Sequence, residues 1–298
     1  MSTPLDAMEA AVVVTVYNDL TGATTLPLLQ RLSRAAAPGD LAVCIHDPPG
    51  DDERRLVDAV KAHGWRLWYA WGVDPDVRRP VRDAAATTRR RARLAADRGA
   101  EVVELNGEAA WRHPDCAPLV RTLIEACREG APGLPVSWTS FDHVLWHDLP
   151  WGAILGAGGV DLHAPQIYGA DPGTPGAEGH QGVRARMRRA GDQLASLVRR
   201  GIARPELAPG GAGWTPYGQV HGMTTAGAAI VLDAADTVRA WALPTRCDEA
   251  GLRALEVVLT ARRECGRSAG AIARWQAAHG LTADGVAGPL TLAAMGLA

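Results

Sequence analysis

Apolar positions in this chain gather into short runs, and the stretches between them carry a helical repeat. Eight runs can be read: Ala11–Tyr17, Leu41–His46, Arg66–Trp71, Glu101–Asn106, Pro135–Thr139, Val160–Tyr168, Glu206–Trp214 and Arg239–Leu243. Short, rich in Val, Ile and Trp, they predict strands. Helices are predicted between and after them at Leu26–Ala37, Asp52–His63, Val81–Arg98, Pro118–Arg128, Val144–Leu155, Val183–Arg200, Thr225–Val238 and Glu249–Glu264. Eight strand–helix alternations over about 260 residues match the usual extent of a (β/α)8 barrel. That predicts an α/β chain with a barrel domain over 1–264. An open doubly wound sheet is the competing reading, but no Gly-rich phosphate fingerprint follows the first run.

In such a barrel functional groups collect at the carboxyl ends of the strands. Those ends supply Tyr17, Asn18 and Asp19, then His46 and Asp47, then Trp71 and Asp74. Strand four adds Asn106, Glu108 and Trp111, and strand five Trp138 and Asp142. Strand six offers Gln166, Tyr168 and Asp171, strand seven Trp214, Tyr217 and His221, and strand eight Trp241. Composition sharpens this picture, because the chain has ten Trp and one Phe. Core packing gives no reason for so strong a bias, whereas broad indole faces suit sugar rings. Any one Trp can be a packing residue. Together with the neighbouring carboxylates and amides they predict a carbohydrate cleft that uses Tyr17, Asp19, His46, Trp71, Trp111, Gln166, Trp214 and Trp241. The Gly/Pro-rich stretch Gly169–His180 reads as a long connection or a flap on that side.

The stretch EVVELNGEAAW, Glu101–Trp111, carries the chemistry. On a strand Glu104, Asn106 and Glu108 share one face while Val103 and Leu105 take the other. Inward-facing acids on a parallel strand are costly unless they line a wet site. Glu104 and Glu108 would stand about 13 Å apart on an extended strand. Paired glycosidase carboxylates need about 5–5.5 Å for retention or about 6.5–9.5 Å for inversion. These two therefore do not flank one bond unless the chain turns at Gly107. Asn106 and Glu108, about 6.6 Å apart on the same measure, can act around a single sugar. The competing explanation is a structural ion pair between these acids and Arg112 or another rim arginine.

The spacing Glu104-x-Asn106-x-Glu108 resembles the DxDxE motif on strand four of the family 18 chitinases, with Glu for the first Asp and Asn for the second. The Asn-x-Glu core also resembles the family 85 endo-β-N-acetylglucosaminidases. The resemblance implies that Glu108 is the general acid and that Asn106 orients the 2-acetamido group, whose carbonyl is the nucleophile. Gln166-Ile167-Tyr168 is similar to the chitinase QxY form, which implies that Tyr168 assists the acetamido group. Trp241 would then be the stacking Trp of strand eight. Such a mechanism needs Glu108 protonated at rest, through apolar surroundings such as Trp111 or a neighbouring charge such as Glu104.

After Cys265 the character of the chain changes. The tail AIARWQAAHGLTADGVAGPLTLAAMGLA predicts a helix through Trp275 and Gln276 that stops at Gly280, a turn at Asp284–Gly285, and a last helix opened by Pro289. The pattern WQxxxGLxxDGVxGPxTLxAM is similar to the second half of the small helical peptidoglycan-binding module of cell-wall enzymes. It covers about Gly266–Ala298 and implies wall contacts through Trp275, Gln276 and Asp284. The first half of that module is missing here or is supplied by Glu249–Glu264.

Charge and cysteines exclude other classes. A net charge of −2 gives no electrostatic footprint for nucleic acid, and Arg89–Arg93 reads as a solvated helix face. The five cysteines lack metal-type spacing and read as reduced thiols. His143 and His147 stand at i, i+4 without HExxH, and no GxSxG occurs, so neither metal, cofactor nor serine nucleophile is expected. No apolar run approaches a membrane span, and the first residues lack a signal-peptide pattern. The sequence thus predicts a soluble, cytoplasmically made chain that acts on peptidoglycan after a route such as holin-type release. A catalytically inactive wall-binding barrel and a stem-peptide amidase are the alternatives.

Overall fold

The computed structural model describes residues 12–17, 22–37, 39–46, 53–73, 81–107, 111, 116–141, 144, 149–167, 179–209, 211–219, 238–244, 248–266, 269–285 and 289–297. Eight parallel strands close into a barrel in sequence order. They are β1 (Val12–Tyr17), β2 (Leu41–His46), β3 (Arg66–Gly72), β4 (Val102–Asn106), β5 (Val136–Phe141), β6 (Leu162–Gln166), β7 (Tyr217–Gln219) and β8 (Val238–Pro244). Closure is made at β1, where Val12 lies beside Leu41 of β2 and Val238 of β8. Around the strands stand α1 (Thr25–Ala35), α2 (Arg54–Ala62), α3 (Val81–Asp97), α4 (Ala117–Gly130), α5 (Trp151–Ile154), α6 (Gly179–Arg199) and α7 (Glu249–Cys265). Two further helices follow, α8 (Ala269–Ala278) and α9 (Pro289–Ala294). No described helix is long and apolar enough to cross a membrane.

Strand alternation sorts the core into two apolar sets. Val14, Val16, Val43, Ile45, Tyr69, Trp71, Val103, Leu105, Val136 and Trp138 pack outward against helix residues such as Leu29, Leu32, Leu56 and Ile124. Val13, Ala42, Cys44, Trp68, Ala70, Val102 and Leu162 form the separate lumen set. The lumen is also lined by buried polar residues, among them Thr15, Glu104, Ser137 and Thr139. Side chains that continue the lumen rows therefore rise toward one mouth, at the carboxyl ends.

Two predicted elements take another form. Glu206–Trp214 is not a strand: Pro205–Leu207 makes one turn of 3-10 helix, and Trp214 keeps a single bridge to His163. Proline at 205 and 209 cannot donate to a ladder. A Cβ on Gly211 would stand 2.3 Å from the Glu206 carbonyl oxygen, so the chain is folded tightly back on itself there. The seventh strand instead starts at Tyr217. The helix expected over Val144–Leu155 is described only as α5, behind Pro150, a residue that breaks helices. Thr225–Val238 lies outside the described residues except for Val238, which opens β8. Gly169–His180 lies outside them up to Gly179, where α6 begins.

His163 points away from the lumen. It is fully buried, edge-on to Trp151 at 6.1 Å between ring centroids. Burial pushes its pKa down to about 3. The unfolded chain, titrating near 6.5, binds the extra proton first as pH falls. Stability held by the neutral ring is complete above pH 6.5 and declines by about 1.4 kcal/mol per pH unit toward pH 3. Denaturant unfolding at pH 7, 6, 5 and 4 is expected to show this slope in the native chain and a shallower one in His163→Gln. Equal slopes would remove His163 as its source.

Candidate functional site

The mouth is built by the last lumen-facing residue of successive strands. On β1 that residue is Tyr17, on β2 His46, on β3 Gly72, on β4 Asn106 and on β6 Gln166, each two or four positions beyond a member of the lumen set. Tyr17 and His46 meet edge-on, with centroids 5.4 Å apart. His46 and Gln166 are buried, whereas Gly72 is exposed, so solvent reaches down between β2 and β4. The sequence therefore brings Tyr17, His46, Asn106 and Gln166 to one rim.

Strand β4 supplies the polar column. Glu104 is fully buried and accepts a 2.9 Å hydrogen bond from the Ser137 hydroxyl, its register neighbour on β5. Asn106 lies one lumen position higher and is half-buried. Among the described residues its side-chain oxygen Oδ1 is buried without a hydrogen-bond partner. An amide oxygen left in that state is an acceptor open to a ligand's N–H or O–H. Ser137 was not singled out from the sequence, although the alternation Ser137, Thr139 in PVSWTSF marks a polar strand face.

Strand β4 ends at Asn106, and the extended spacing applies only that far. Gly107 follows, its N–H donating to the Thr139 carbonyl at 3.1 Å. A Cβ there would sit 2.2 Å from the Trp138 ring. Gly107→Ala is thus expected to cost about 1–3 kcal/mol by overpacking and to displace the residues on either side of it. Thermal unfolding reads the first effect, and an unchanged transition would mean that Trp138 yields freely.

The indoles mostly serve a different purpose from the one expected. Trp71, Trp111 and Trp214 are 1%, 0% and 4% exposed and belong to the layer between barrel and helices. Trp71 sits at an outward position of β3. Trp111 packs edge-on to Trp138 at 5.7 Å and donates to the Val73 carbonyl at 2.5 Å. These three rings have no free face for a sugar. Small Ala and Val side chains in that layer leave volumes that an indole fills. Glu108, Tyr168 and Asp19 lie outside the described residues, as does the side chain of Trp241. Asp47, Asp74, Asp171 and His221, and the His143/His147 pair, lie outside them too. Among the described residues no group of His, Cys, Asp and Glu could hold a metal ion.

In the tail, Gln276 is buried and works as an internal strut. Its Nε2 donates to Asp284 Oδ1 at 2.7 Å and to Thr291 Oγ1 at 2.9 Å, and its Oε1 accepts from the Gly285 N–H at 2.9 Å. One amide thereby ties α8 to the Asp284–Gly285 turn and to α9. Gln276 is not available to the wall, and Asp284 is occupied on one oxygen. Trp275 is half-buried and stacks on the exposed His279 ring at 3.8 Å.

Taken together, these features define a (β/α)8 barrel with a polar mouth at the carboxyl ends of its strands. Its fold is similar to that of a GH18 chitinase from Pseudoalteromonas aurantia, at 11% identity and a TM-score of 0.54 over 83% of this chain and 98% of that one. It is similar also to the spore cortex-lytic enzyme SleL from Bacillus megaterium QM B1551, at 9% identity and 0.57 over 84% and 73%. A class V chitinase from Pseudomonas fluorescens Pf-5 matches at 13% identity and 0.53 over 83% and 98%. At these identities the likeness is one of fold. Residues 267–295 match the family described as "Putative peptidoglycan binding domain". No curated protein matches the sequence.

Proposed function

We propose that this chain is a cell-wall glycan hydrolase, a peptidoglycan glycosidase of the N-acetylglucosaminidase or muramidase type. The observation that carries the reading is the conjunction, in one chain, of the lumen column Glu104–Asn106 at a barrel mouth and the peptidoglycan-binding match at 267–295. A chitinase and a cortex-lytic enzyme among the structures of similar fold support the same direction.

In this reading Asn106 Oδ1 accepts the N–H of a substrate 2-acetamido group and turns its carbonyl oxygen toward the anomeric carbon. That oxygen attacks as the glycosidic bond breaks, and Glu108 gives its proton to the leaving oxygen. Glu108, now a carboxylate, takes a proton from the water that opens the cyclic intermediate. Glu104, held by Ser137, supplies a buried carboxyl group beneath Asn106. Tyr168 hydrogen-bonds the acetamido oxygen, and Trp241 stacks on the sugar. Tyr17, His46, Gln166 and Asp19 hold its hydroxyls. Residues 1–264 act as the catalytic domain and 266–298 as the wall-binding segment, with Trp275 its ring at the surface.

The test is incubation of the full chain with purified insoluble peptidoglycan. Loss of turbidity together with a rise in reducing groups is expected. Turbidity and reducing groups that both stay level would refute hydrolysis.

A further inference from the structure

Helix α7 buries apolar residues in two separate clusters. Leu252, Leu255, Val258 and Leu259 join the layer against the barrel. Val257 and Ala261, one turn apart, lie about half a helical rotation away from Leu255 and Leu259. They belong to a separate cluster, covered by Leu292 with Met295 and Leu297 beside it. A helix on the outside of a barrel ordinarily turns a polar face outward. Here α7 keeps such a face at Arg253, Arg263 and Glu264, and the flank beside it, with Val257 and Ala261, is buried under the last helix of the chain.

The direction of α7 places this contact. Arg31 of α1 pairs with Glu249 and Glu256, and further along α1 the Arg34 carbonyl accepts 2.8 Å from Arg263. The two helices therefore run side by side in the same sense, from the mouth toward the base. Ala261 is about 18 Å down α7 from Glu249. The peptidoglycan-binding match begins at 267, after α7 has ended, and holds only the two short helices α8 and α9. Two helices of that length, clamped by one buried Gln276, bury too little apolar surface to stand alone.

We propose that α7 is held in common: it is the barrel helix that follows β8 and also the third helix of the peptidoglycan-binding segment, which folds only against it. The segment is thereby fixed low on the flank of the barrel. Resting on the function proposed above, this means that the stretch of wall gripped by the segment differs from the stretch at the mouth. The chain is built to hold a multi-stranded, insoluble glycan at one place and to work on it at another.

Hydrogen exchange of the full-length protein tests the sharing, with substitutions made on the barrel side only. In Val257→Asp, exchange in Ala269–Ala278 is expected to quicken tenfold or more while β1–β4 keep their protection. If that variant loses protection throughout, Val257→Ala replaces it, with a severalfold acceleration confined to α8 and α9 expected. Unchanged α8 exchange in a variant whose β1–β4 remain protected would overturn the proposal. Pelleting with insoluble walls separates the two readings: it should fall at least tenfold in Val257→Asp. Failure of the native chain to pellet would count against wall binding, while the exchange result would still decide the sharing.

Discussion

Glu108→Gln is expected to lower turnover on wall glycans by about two to four orders of magnitude, the usual worth of a positioned proton donor. Gln keeps the shape and hydrogen-bonding reach of the side chain, so glycan binding should be nearly retained. The proton is what is lost, and the defect should therefore fall on kcat rather than KM. The assignment rests on the sequence motif and on the place where β4 ends. Asn106 is the last lumen residue of that strand, Gly107 packs against the Trp138 ring, and Glu108 is the next residue. Full activity in Glu108→Gln, with loss on removing Asp19, His46 or Asp171, would move the chemistry to other strands.

Asn106→Ala is expected to have the second largest effect, a loss of about two orders of magnitude or more in kcat. When the nucleophile belongs to the substrate, holding it against the anomeric carbon is the catalytic task, and misplacement by about 1 Å costs on that order. The unpartnered, buried Oδ1 is suited to that hold. Asn106→Asp separates positioning from bulk: it keeps an acceptor at the same point and should recover a large part of the rate. A loss confined to KM in Asn106→Ala would show instead a group that binds ground state and transition state alike.

Much of the barrel was legible because two periods repeat in alternation. Seven of the eight strands stand where the apolar runs put them. The seventh was misplaced because Leu207 and Trp214 are apolar for a different reason: they are buried in the layer between barrel and helices, in a Pro/Gly stretch that pairs only at Trp214. The mouth was legible in part, since alternation alone carries Tyr17, His46, Asn106 and Gln166 to one side. The indoles were not. Composition gives the number of Trp residues but not the face of the strand on which each stands. Trp71 is one position away from the lumen row, and a shift of one residue reverses its side. Gln276 misled in a similar way, because a polar residue in a wall-binding motif can be its internal strut. The second apolar flank of α7 was also written in Val257 and Ala261. Its meaning needs the distant Leu292, which no local period reveals.

Mass spectrometry of borohydride-reduced fragments from digested, purified peptidoglycan addresses the central claim most directly. The proposed function predicts soluble sugar–peptide fragments that carry newly reduced N-acetylated sugar ends, released by the native chain and absent with Glu108→Gln. Free stem peptides without new reduced ends, or walls left intact by the native chain, would contradict it.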